Sequence, residues 1–504
     1  MLEKEIITLK IEQQKQGELV LQKDTLIKEQ QALIDKLTRM LFGQKRERFE
    51  AVPPIQLAIA FGGIFSLEEL QKMEEAINAK KEAVKQKEAI EAKKPHPGRK
   101  PLPKHLSIVE IVIEPTEDVS DMVLVGKEES DSLEYEPSKF YIQRTVRPKY
   151  APKAKEGSFS IAPMPYSIFQ KCIAGASVIA QILVDKYVDH LPLYRQLQRF
   201  KREGIDINAS TIDNWVKLGI GRLEILYEYL QERLIHQKYL QVDETTLKVL
   251  DSDKNGAAHL GYFWVYNDPL GDNALFKYEM GRAAKYPEEV LKDFAGYLQT
   301  DGYGGYNQLA QRENIVQLAC WAHVRRKFEE SLSNDKALAD VGMTLIQGLY
   351  HVEREARDKN LSPEERKELR LEKSLPIYNL IGKWIGQHLG DTLPKSAIGK
   401  AMRYAQERWD ELGNYMLDGN LEIDNNLVEN AIRPVALGRK NYLFAGSHDA
   451  AQRSAVIYTF MSQCKKHEIN PQKWLKHVFE NILDTKPSQY ETLLPAYMKN
   501  NPLF

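Results

Sequence analysis

The first fifty residues repeat apolar side chains at an interval of seven. Two adjacent rows keep this interval: Val20, Ile27, Ile34 and Leu41, and Leu19, Leu26, Leu33 and Met40. Such heptads are typical of a short coiled coil, in which the apolar seams of two helices meet. We therefore predict a coiled-coil oligomerisation helix over residues 1–50, although a single amphipathic helix docking on its own domain fits the same pattern.

The composition differs between the next two segments, residues 51–105 and 106–165. Residues 51–105 include a stretch rich in Ala, Glu and Lys that ends in a basic, proline-containing run at 93–101. This composition predicts a charged helix followed by a linker. In residues 106–165, short runs of Ile, Val, Phe and Tyr alternate with acidic turns, and they predict a small β-rich unit.

Between residues 170 and 236 the apolar spacing becomes helical. One predicted helix spans residues 191–200 and a second spans 211–218, with a break at Gly204 and a cap at Ser210 and Thr211. The first helix carries its apolar residues on one side: Leu193, Tyr194, Leu197 and Phe200. In the second helix, Ile212, Trp215 and Val216 can face inward. The outline favours a helix-turn-helix that binds DNA, but any helical hairpin resembles it. Its candidate DNA-binding residues are Arg195, Arg199, Lys201, Arg202, Asn214 and Lys217.

After Lys238 the pattern predicts strands. They are expected at 239–250, 261–267, 274–280, 297–300 and 315–318, with a helix at 287–295 before the fourth strand. A three-strand meander followed by alternating helices and strands is the order of elements in a ribonuclease H-like fold.

This layout places Asp243 inside the first strand and Asp301 at the end of the fourth. Neighbouring central strands would bring the two carboxylates together. Because side chains alternate along a strand, Glu244 is expected to point away from Asp243. Two carboxylates held close need a proton or a cation between them. Mg²⁺ prefers oxygen ligands, and two ions about 3.5–4 Å apart can clamp the attacking and leaving oxygens of a phosphodiester.

A third acidic candidate, Glu429, lies in the segment 424–430 that opens a later helix. Asn426 precedes it by three residues, which is also the spacing of a capping box, so a purely structural role fits equally well. Arg433 lies one turn further along and could pair with Glu429 or contact a phosphate. Pro434 is expected to limit or kink the helix.

Several motifs resemble insertion-sequence family sixty-six transposases. In the C-terminal half they are VDETT around Asp243, TDGYGGY around Asp301, CWAHVRRKF from Cys320 and DNNLVENAIRPVALGRKNYLFAGS from Asp424. In the N-terminal half they are LFGQKRERF from Leu41, GRKPLPKHL from Gly98 and VRPKYA from Val146. The motifs occur in order over most of the chain.

The resemblance implies a DDE transposase in which Asp243, Asp301 and Glu429 form the acidic, metal-binding triad. The implied cofactor is Mg²⁺ or Mn²⁺, two ions per site. The implied organisation is multidomain α+β: a ribonuclease H-like catalytic core at 237–335 and 421–465, a helical insertion at 336–420 and a C-terminal tail at 466–504.

Further candidates lie beside the two aspartates. Cys320 and His323 resemble a Cys-x-x-His signature of DDE transposases, although Cys320 could end a buried strand while His323 packs on the next helix. His323 would otherwise approach the scissile phosphate or orient a carboxylate, and Arg325 and Arg326 would face DNA. Tyr303 and Tyr306, in a glycine-rich turn, could stack on an unpaired base or be ordinary turn residues.

The cysteines argue against a zinc site. Cys172, Cys320 and Cys464 are the only ones, too few and too scattered for a disulfide framework or a four-cysteine zinc centre. Members of the resembling family usually carry clustered cysteines ahead of the VRPKYA-like stretch, and this chain has none there. We predict that zinc is absent and that the small β-rich unit is held by apolar residues alone.

The net charge and the distribution of apolar residues exclude some classes of protein. The 504 residues carry a formal net charge of −1, which excludes a uniformly basic, histone-like binder and leaves local patches for double-stranded DNA. No signal peptide or apolar run of about 18 residues occurs, so we expect a soluble, intracellular protein that contacts no membrane. The resemblance implies a bacterial cytoplasmic, nucleoid-associated location.

The leading hypothesis is a transposase that binds the ends of its element and target DNA as a homo-oligomer, with accessory proteins of the same element as possible partners. Two alternatives are a catalytically inactive DNA-binding protein derived from a transposase and a coiled-coil scaffold protein. The scaffold accounts for residues 1–94 but gives no reason for the strand-borne aspartates.

Overall fold

The computed structural model describes residues 140–144, 168–169, 172–250, 257–271 and 273–501, and the backbone of 149–150 and 160–161. The described residues before and after residue 167 belong to two compact units. In the first, strand β1 (Lys149–Tyr150) pairs antiparallel with β2 (Ser160–Ile161). The predicted coiled coil, charged helix and linker, and most of the predicted β-rich unit, lie outside the described residues.

Within the described residues 172–238, four helices precede the main sheet. They are α1 (Ala176–Tyr187), α2 (Leu193–Arg202), α3 (Ala209–Gly221) and α4 (Glu224–Leu234). Helices α2 and α3 lie where two helices were predicted, with Gly204 between them at φ +76°. The predicted cap at Ser210 and Thr211 was wrong, because the helix begins at Ala209 after an extended Asn208. Tyr194, which was predicted on the same side of α2 as Phe200, is 57% exposed, whereas Phe200 is buried.

The main sheet has five strands in the part of the chain that the structure describes. They are β3 (Tyr239–Leu250), β4 (Ala258–Asp268), β5 (Asn273–Glu279), β6 (Gly296–Gln299) and β7 (Ile315–Leu318). The order across the sheet is β5-β4-β3-β6-β7. Strands β3, β4 and β5 form an antiparallel meander, whereas β6 runs parallel to β3 and β7 parallel to β6. All five predicted strands are therefore present, and β3 and β6 are neighbours.

Short elements connect these strands. Helix α5 (Lys285–Val290) ends five residues before the predicted limit. A 3₁₀ turn (Gly304–Tyr306) leads into α6 (Asn307–Ala310), and α7 (Trp321–Glu330) follows β7. Gly296 starts β6 at φ +144°, and a Cβ at this position would lie 2.3 Å from the Lys238 carbonyl oxygen. Only glycine fits there, which lets β6 start directly beside β3.

The expected insertion is helical. It contains α8 (Lys336–Asp358), α9 (Pro363–Leu369), a π-helical turn (Arg370–Ser374), α10 (Leu375–His388), α11 (Ala397–Gln406) and α12 (Trp409–Gly413). Two 3₁₀ turns, Leu389–Asp391 and Asn414–Leu417, follow α10 and α12. Ser362 and Glu365 form a capping box that starts α9.

The chain then returns to the sheet. Helix α13 (Asn426–Tyr442) continues through Pro434, beyond the limit that proline was expected to set, and α14 (His448–Lys466) follows it. The remaining elements are α15 (Pro471–Asn481), a 3₁₀ stretch (Pro487–Leu493) and α16 (Pro495–Asn500). The segment predicted as a tail is packed, because the Phe479 ring lies 5.1 Å from Phe169 and the Trp474 ring stacks at 5.1 Å on Phe460.

One hydrophobic core extends from α1–α4 through the sheet to α13–α15. Consecutive residues of β4, such as Phe263, Trp264 and Val265, are all fully buried. Both faces of the strand are covered here, because Phe263 packs against Tyr458 of α14 and Trp264 packs against Tyr306 of the 3₁₀ turn. The helices predicted as a separate DNA-binding domain therefore share a core with the sheet. Of the helices in the described ranges, none combines the length and apolar character needed to cross a membrane.

Candidate functional site

Asp243 and Asp301 lie side by side at the centre of the sheet. The parallel pairing of β3 with β6 runs in register from Tyr239 and Tyr297 to Gln241 and Gln299, and each aspartate follows two residues later. In the described part of the chain, the carboxylates of Asp243, Glu244 and Asp301 form an acidic cluster whose oxygens lie within 4.8 Å of one another. The predicted approach of the two aspartates thus follows from strand order and register.

Glu244 was expected to point away from the aspartates, and this was wrong. Its carboxylate belongs to the acidic cluster and its side chain is only 2% exposed. The Nε of Arg282 donates to Glu244 Oε1 at 2.5 Å, and the hydroxyl of Tyr306 donates to Oε2 at 2.7 Å. Alternation fixes only the direction of the Cα–Cβ bond, whereas two donors hold the end of the longer glutamate side chain beside Asp243 and Asp301.

Tyr306 is fully buried, which excludes the alternative that it stacks on a base and fits the alternative of an ordinary turn residue. Tyr303 is half-buried and lies under the guanidinium of Arg282, 3.7 Å from its carbon to the ring centroid. The backbone N–H of Tyr303 donates to Asp301 Oδ1 at 2.8 Å. The tyrosine turn therefore holds both Arg282 and Asp301 in place.

Arg282 is a site residue that the sequence analysis missed. It follows β5 in a turn without a recognisable motif, and its Nη2 lies 4.0 Å from Asp301 Oδ2. Only the sheet order, which folds the end of β5 back towards β3, brings it to the aspartates. Its positive charge offsets part of the negative charge of the acidic cluster.

Burial and mutual repulsion raise the pKa values of these carboxyls. Removal from water, followed by the charges of Asp301 and Glu244, raises the pKa of Asp243 to about 8. Burial also raises the pKa of Glu244, and burial together with neighbouring acidic groups raises the pKa of Glu429. At neutral pH the site therefore favours a proton or a cation on Asp243.

The capping-box interpretation of Glu429 was wrong. Asn426 is already the first residue of α13, and its side-chain N–H donates to Asp424 Oδ2 at 2.8 Å. The residue at the cap position is Asn425, whose side chain makes no cap hydrogen bond. The Glu429 side chain is therefore not used to close the helix start.

Glu429 instead lies near the acidic cluster. Its charge is one of those that raise the pKa of Asp243, and the charge of Asp301 in turn acts on Glu429. Its Oε1 lies 3.9 Å from His323 Nε2 and its Oε2 lies 3.8 Å from Arg326 Nη2. The side chain is 32% exposed, so it is accessible to a ligand as well as to His323 and Arg326.

Cys320 and His323 differ in character. Cys320 is buried at the start of α7, and burial raises its pKa to about 12, so its thiol stays protonated and is a poor metal ligand. His323 is partly buried, and burial followed by the charge of Arg326 lowers its pKa. A neutral His323 faces Glu429 through Nε2, while its buried Nδ1 has no hydrogen-bond partner among the described residues.

The helical insertion also contacts the site. The hydroxyl of Tyr404 on α11 donates to the Asp301 carbonyl oxygen at 2.6 Å, and Arg408 Nη2 donates to the Gly302 carbonyl oxygen at 3.0 Å. Gly302 has φ +81°, and a Cβ there would lie 2.3 Å from Arg408 Nε. Because Gly302 has no side chain, Arg408 of the insertion can pack against the turn after Asp301. No sequence pattern indicated this contact.

The remaining predicted DNA-binding residues lie mostly on exposed surfaces. Arg199 is an exception, because it forms an ion pair with the buried Asp185. Arg325 is partly buried on α7. The exposed residues are Arg195, Lys201, Arg202, Asn214, Lys217, Arg326 and Arg433.

Divalent-cation binding is expected to depend on pH. Because the pKa of Asp243 is about 8, a cation must displace a proton from the site below that pH. The apparent affinity for Mn²⁺ should rise by about tenfold per pH unit between about pH 6 and pH 8 and level off above. Isothermal titration calorimetry in buffers of different ionisation enthalpy would measure the released proton. An affinity independent of pH over this range would contradict the raised pKa.

The chain is similar to known proteins over most of its length. Residues 171–453 match the family described as Transposase IS66 family, residues 459–496 match the IS66 C-terminal element, and residues 29–111 match Transposase C of IS166 homeodomain. Two relatives come from Sinorhizobium fredii. Uncharacterized protein y4qI is 33% identical over 492 residues, covering 93% of this chain and 88% of that protein. Uncharacterized protein y4hP is 29% identical over 493 residues, covering 92% and 87%.

Proposed function

Because the chain belongs to the Transposase IS66 family, as its motifs predicted, we propose that it binds insertion-sequence ends and catalyses metal-dependent DNA strand cleavage and strand transfer. The observation that carries this proposal is the approach of Asp243 and Asp301 at neighbouring strands. Glu429 lies outside that acidic cluster, but near enough that its charge helps to raise the pKa of Asp243. Two aspartates that are distant in sequence have no structural reason to lie together, since their repulsion costs free energy.

The sheet supports a ribonuclease H-like catalytic core. Its order, β5-β4-β3-β6-β7, combines an antiparallel meander with two parallel strands on the other side. We assign residues 237–335 and 421–465 to this core and residues 336–420 to an insertion within it. Contacts of Tyr404 and Arg408 with the Asp301 turn support a role of the insertion in shaping the site.

The donor set fits Mg²⁺ or Mn²⁺. Its carboxylate oxygens are the ligands that hard cations prefer. Burial, followed by the charges of Asp301 and Glu244, raises the pKa of Asp243, and a bound cation would offset both effects. Asp243, Asp301 and Glu429 would hold the ions. Such ions would neutralise charge on the attacking and leaving oxygens of a phosphodiester.

The reaction consists of two in-line displacements. Water first attacks the phosphorus at the element end, the bond from phosphorus to the 3′ oxygen breaks, and that oxygen leaves as a 3′ hydroxyl. This hydroxyl then attacks a target phosphate and displaces its 3′ oxygen in the same manner. Neither step needs a covalent bond to the protein. The neutral His323 orients Glu429, and Tyr303 keeps the Asp301 turn in place.

DNA binding is assigned to cations outside the acidic cluster. We propose that α2 and α3 form a helix-turn-helix for the element ends and that Arg325, Arg326 and Arg433 contact strands near the site. Because Arg199 forms an ion pair with Asp185, we expect it to contribute less to DNA binding than its neighbours do. A homo-oligomer joined through residues 1–50, and accessory proteins of the same element, complete the proposed assembly.

A cleavage assay tests the function. Duplex DNA carrying the ends of the element is incubated with the protein and Mg²⁺ or Mn²⁺, and the products are sequenced. We expect nicks with 3′ hydroxyl ends at the element boundary, no product in EDTA, and almost no product from Glu429→Gln. Specific end binding without cleavage in either metal would instead favour the inactive DNA-binding protein.

A further inference from the structure

Tyr239, Gln241 and Gln299 form a fully buried hydrogen-bonded group, the glutamine network, between β3 and β6. Gln241 and Gln299 are register partners. Gln241 Nε2 donates to Gln299 Oε1 at 2.8 Å, and the Tyr239 hydroxyl donates to the same oxygen at 2.5 Å. Both strands carry the pattern Tyr-Leu-Gln-x-Asp, at 239–243 and 297–301. Each glutamine thus precedes a proposed metal ligand by two residues and shares its side of the strand.

The same network reaches the segment that carries Glu429. Gln241 Nε2 also donates to the Asp424 carbonyl oxygen at 3.0 Å, and Gln241 Oε1 accepts from the Val428 backbone N–H at 3.2 Å. Gln299 Nε2 donates to the Glu422 carbonyl oxygen at 2.9 Å. Val428 directly precedes Glu429 in the first turn of α13.

This arrangement replaces an ordinary helix cap. The first N–H groups of a helix lack partners within it, and Asn425 makes no side-chain cap for α13. The Val428 N–H approaches the Asn425 carbonyl at 3.1 Å and shares its proton with Gln241 on β3. A cap supplied by the neighbouring strand fixes where the helix starts relative to that strand, which a cap within the helix cannot do.

We propose that Gln241 and Gln299 are positioning residues that set the distance of Glu429 from Asp243 and Asp301. Their bonds tie the two aspartate strands to each other and both strands to the segment before Glu429. The inference rests on the proposed function, since a separation of carboxylates matters only if they act together. Its structural part, the anchoring of α13, can be measured without any activity.

The test uses the near-isosteric variants Gln241→Met and Gln299→Met in the full-length protein. We expect each to slow end cleavage by about 10- to 100-fold, as for outer-shell partners of metal ligands, while binding of end DNA is unchanged. Hydrogen exchange of the amides at 424–428 should become faster, while exchange in β4 stays as in the wild type. Gln463→Met, at a buried glutamine on α14, is the matched control and should alter neither measurement.

The outcomes separate the two proposals. Wild-type cleavage and wild-type exchange at 424–428 in both variants would overturn the positioning role, as would global unfolding of both, which would assign the network to stability alone. If Asp243→Asn leaves cleavage unchanged, the proposed function fails, and faster exchange at 424–428 in the glutamine variants would still support the anchoring of α13.

Discussion

Asp243→Asn is expected to slow DNA cleavage by more than about 1000-fold, a loss of about 4 kcal/mol in transition-state stabilisation, while leaving end binding within about twofold. The amide is isosteric but supplies one neutral oxygen where the carboxylate offers two charged ones. Because the acidic cluster is the proposed metal site, the substitution removes a proposed ligand without touching α2 or α3. Single-turnover cleavage and a gel-shift titration with the same duplex measure the two effects.

Two carboxylate-to-amide controls sharpen this experiment. Glu279→Gln on β5, outside the acidic cluster, should retain full cleavage. Glu244→Gln should lower the cleavage rate far less than Asp243→Asn does, because Arg282 and Tyr306 already occupy the carboxylate oxygens of Glu244. Equal losses in Glu244→Gln and Asp243→Asn would shift the essential carboxylate role towards Glu244.

Stability of the metal-free protein distinguishes a catalytic defect from misfolding. The folded-state pKa of Asp243 is raised to about 8, above an unfolded value of about 4. Its contribution to stability is therefore full below about pH 4 and is lost as the pH rises through about 8. An amide does not ionise, so Asp243→Asn should melt above the wild type in EDTA at about pH 8. A lower melting temperature would indicate a folding role for Asp243.

Arg370→Met is expected to lower the free energy of unfolding by about 3–5 kcal/mol. Arg370 is fully buried in the insertion, where it donates two hydrogen bonds to Glu353. Its other donors reach the carbonyl oxygens of Tyr415, Asp418 and Leu421 at 2.7–2.8 Å. The variant leaves these buried acceptors unpaired, which is costly. Urea denaturation followed by circular dichroism measures the change.

Lys359→Met is the matched surface variant in the same region. Lys359 is exposed and pairs with Glu355 at 2.8 Å, so its loss should cost less than about 0.5 kcal/mol. Arg370→Met should also reduce cleavage, because Leu421 leads directly into the segment that the glutamine network holds before α13. If Arg370→Met lowers the free energy of unfolding by less than about 1 kcal/mol, Arg366, which also binds Glu353, is sufficient to neutralise the buried Glu353 carboxylate.

The strands were largely predictable because each has a local cause. Runs of apolar and β-branched residues predicted β3 and β7 with their observed bounds and the other strands within a few residues. The aspartate positions followed from strand order. The wrong predictions concern positions that are set by contacts between residues distant in sequence. Glu244 is held by Arg282 and Tyr306. The segment after residue 466 packs on α1 and α14 instead of forming a tail.

One signal in the sequence was available and was missed. The repeat of Tyr-Leu-Gln-x-Asp at 239–243 and 297–301 marks two strands that pair in register, and polar residues at equivalent buried positions indicate a shared hydrogen-bond network. No comparable signal marked Tyr404 or Arg408. Their contacts with the Asp301 turn depend on the path of an insertion that begins at Lys336 and returns to the sheet at α13.

The amino-acid sequence by itself determined the strands, the helical character of the insertion, the family and the three acidic candidates, because these depend on local periodicity and on motifs. Only the tertiary structure decided which charges meet. It placed Glu244 and Arg282 beside the aspartates, buried Tyr306, and anchored the helix of Glu429 to the strand of Asp243 through Gln241. Electrostatic energy and hydrogen bonding depend on distances in space, and those distances arise only when strands and helices remote along the chain pack together.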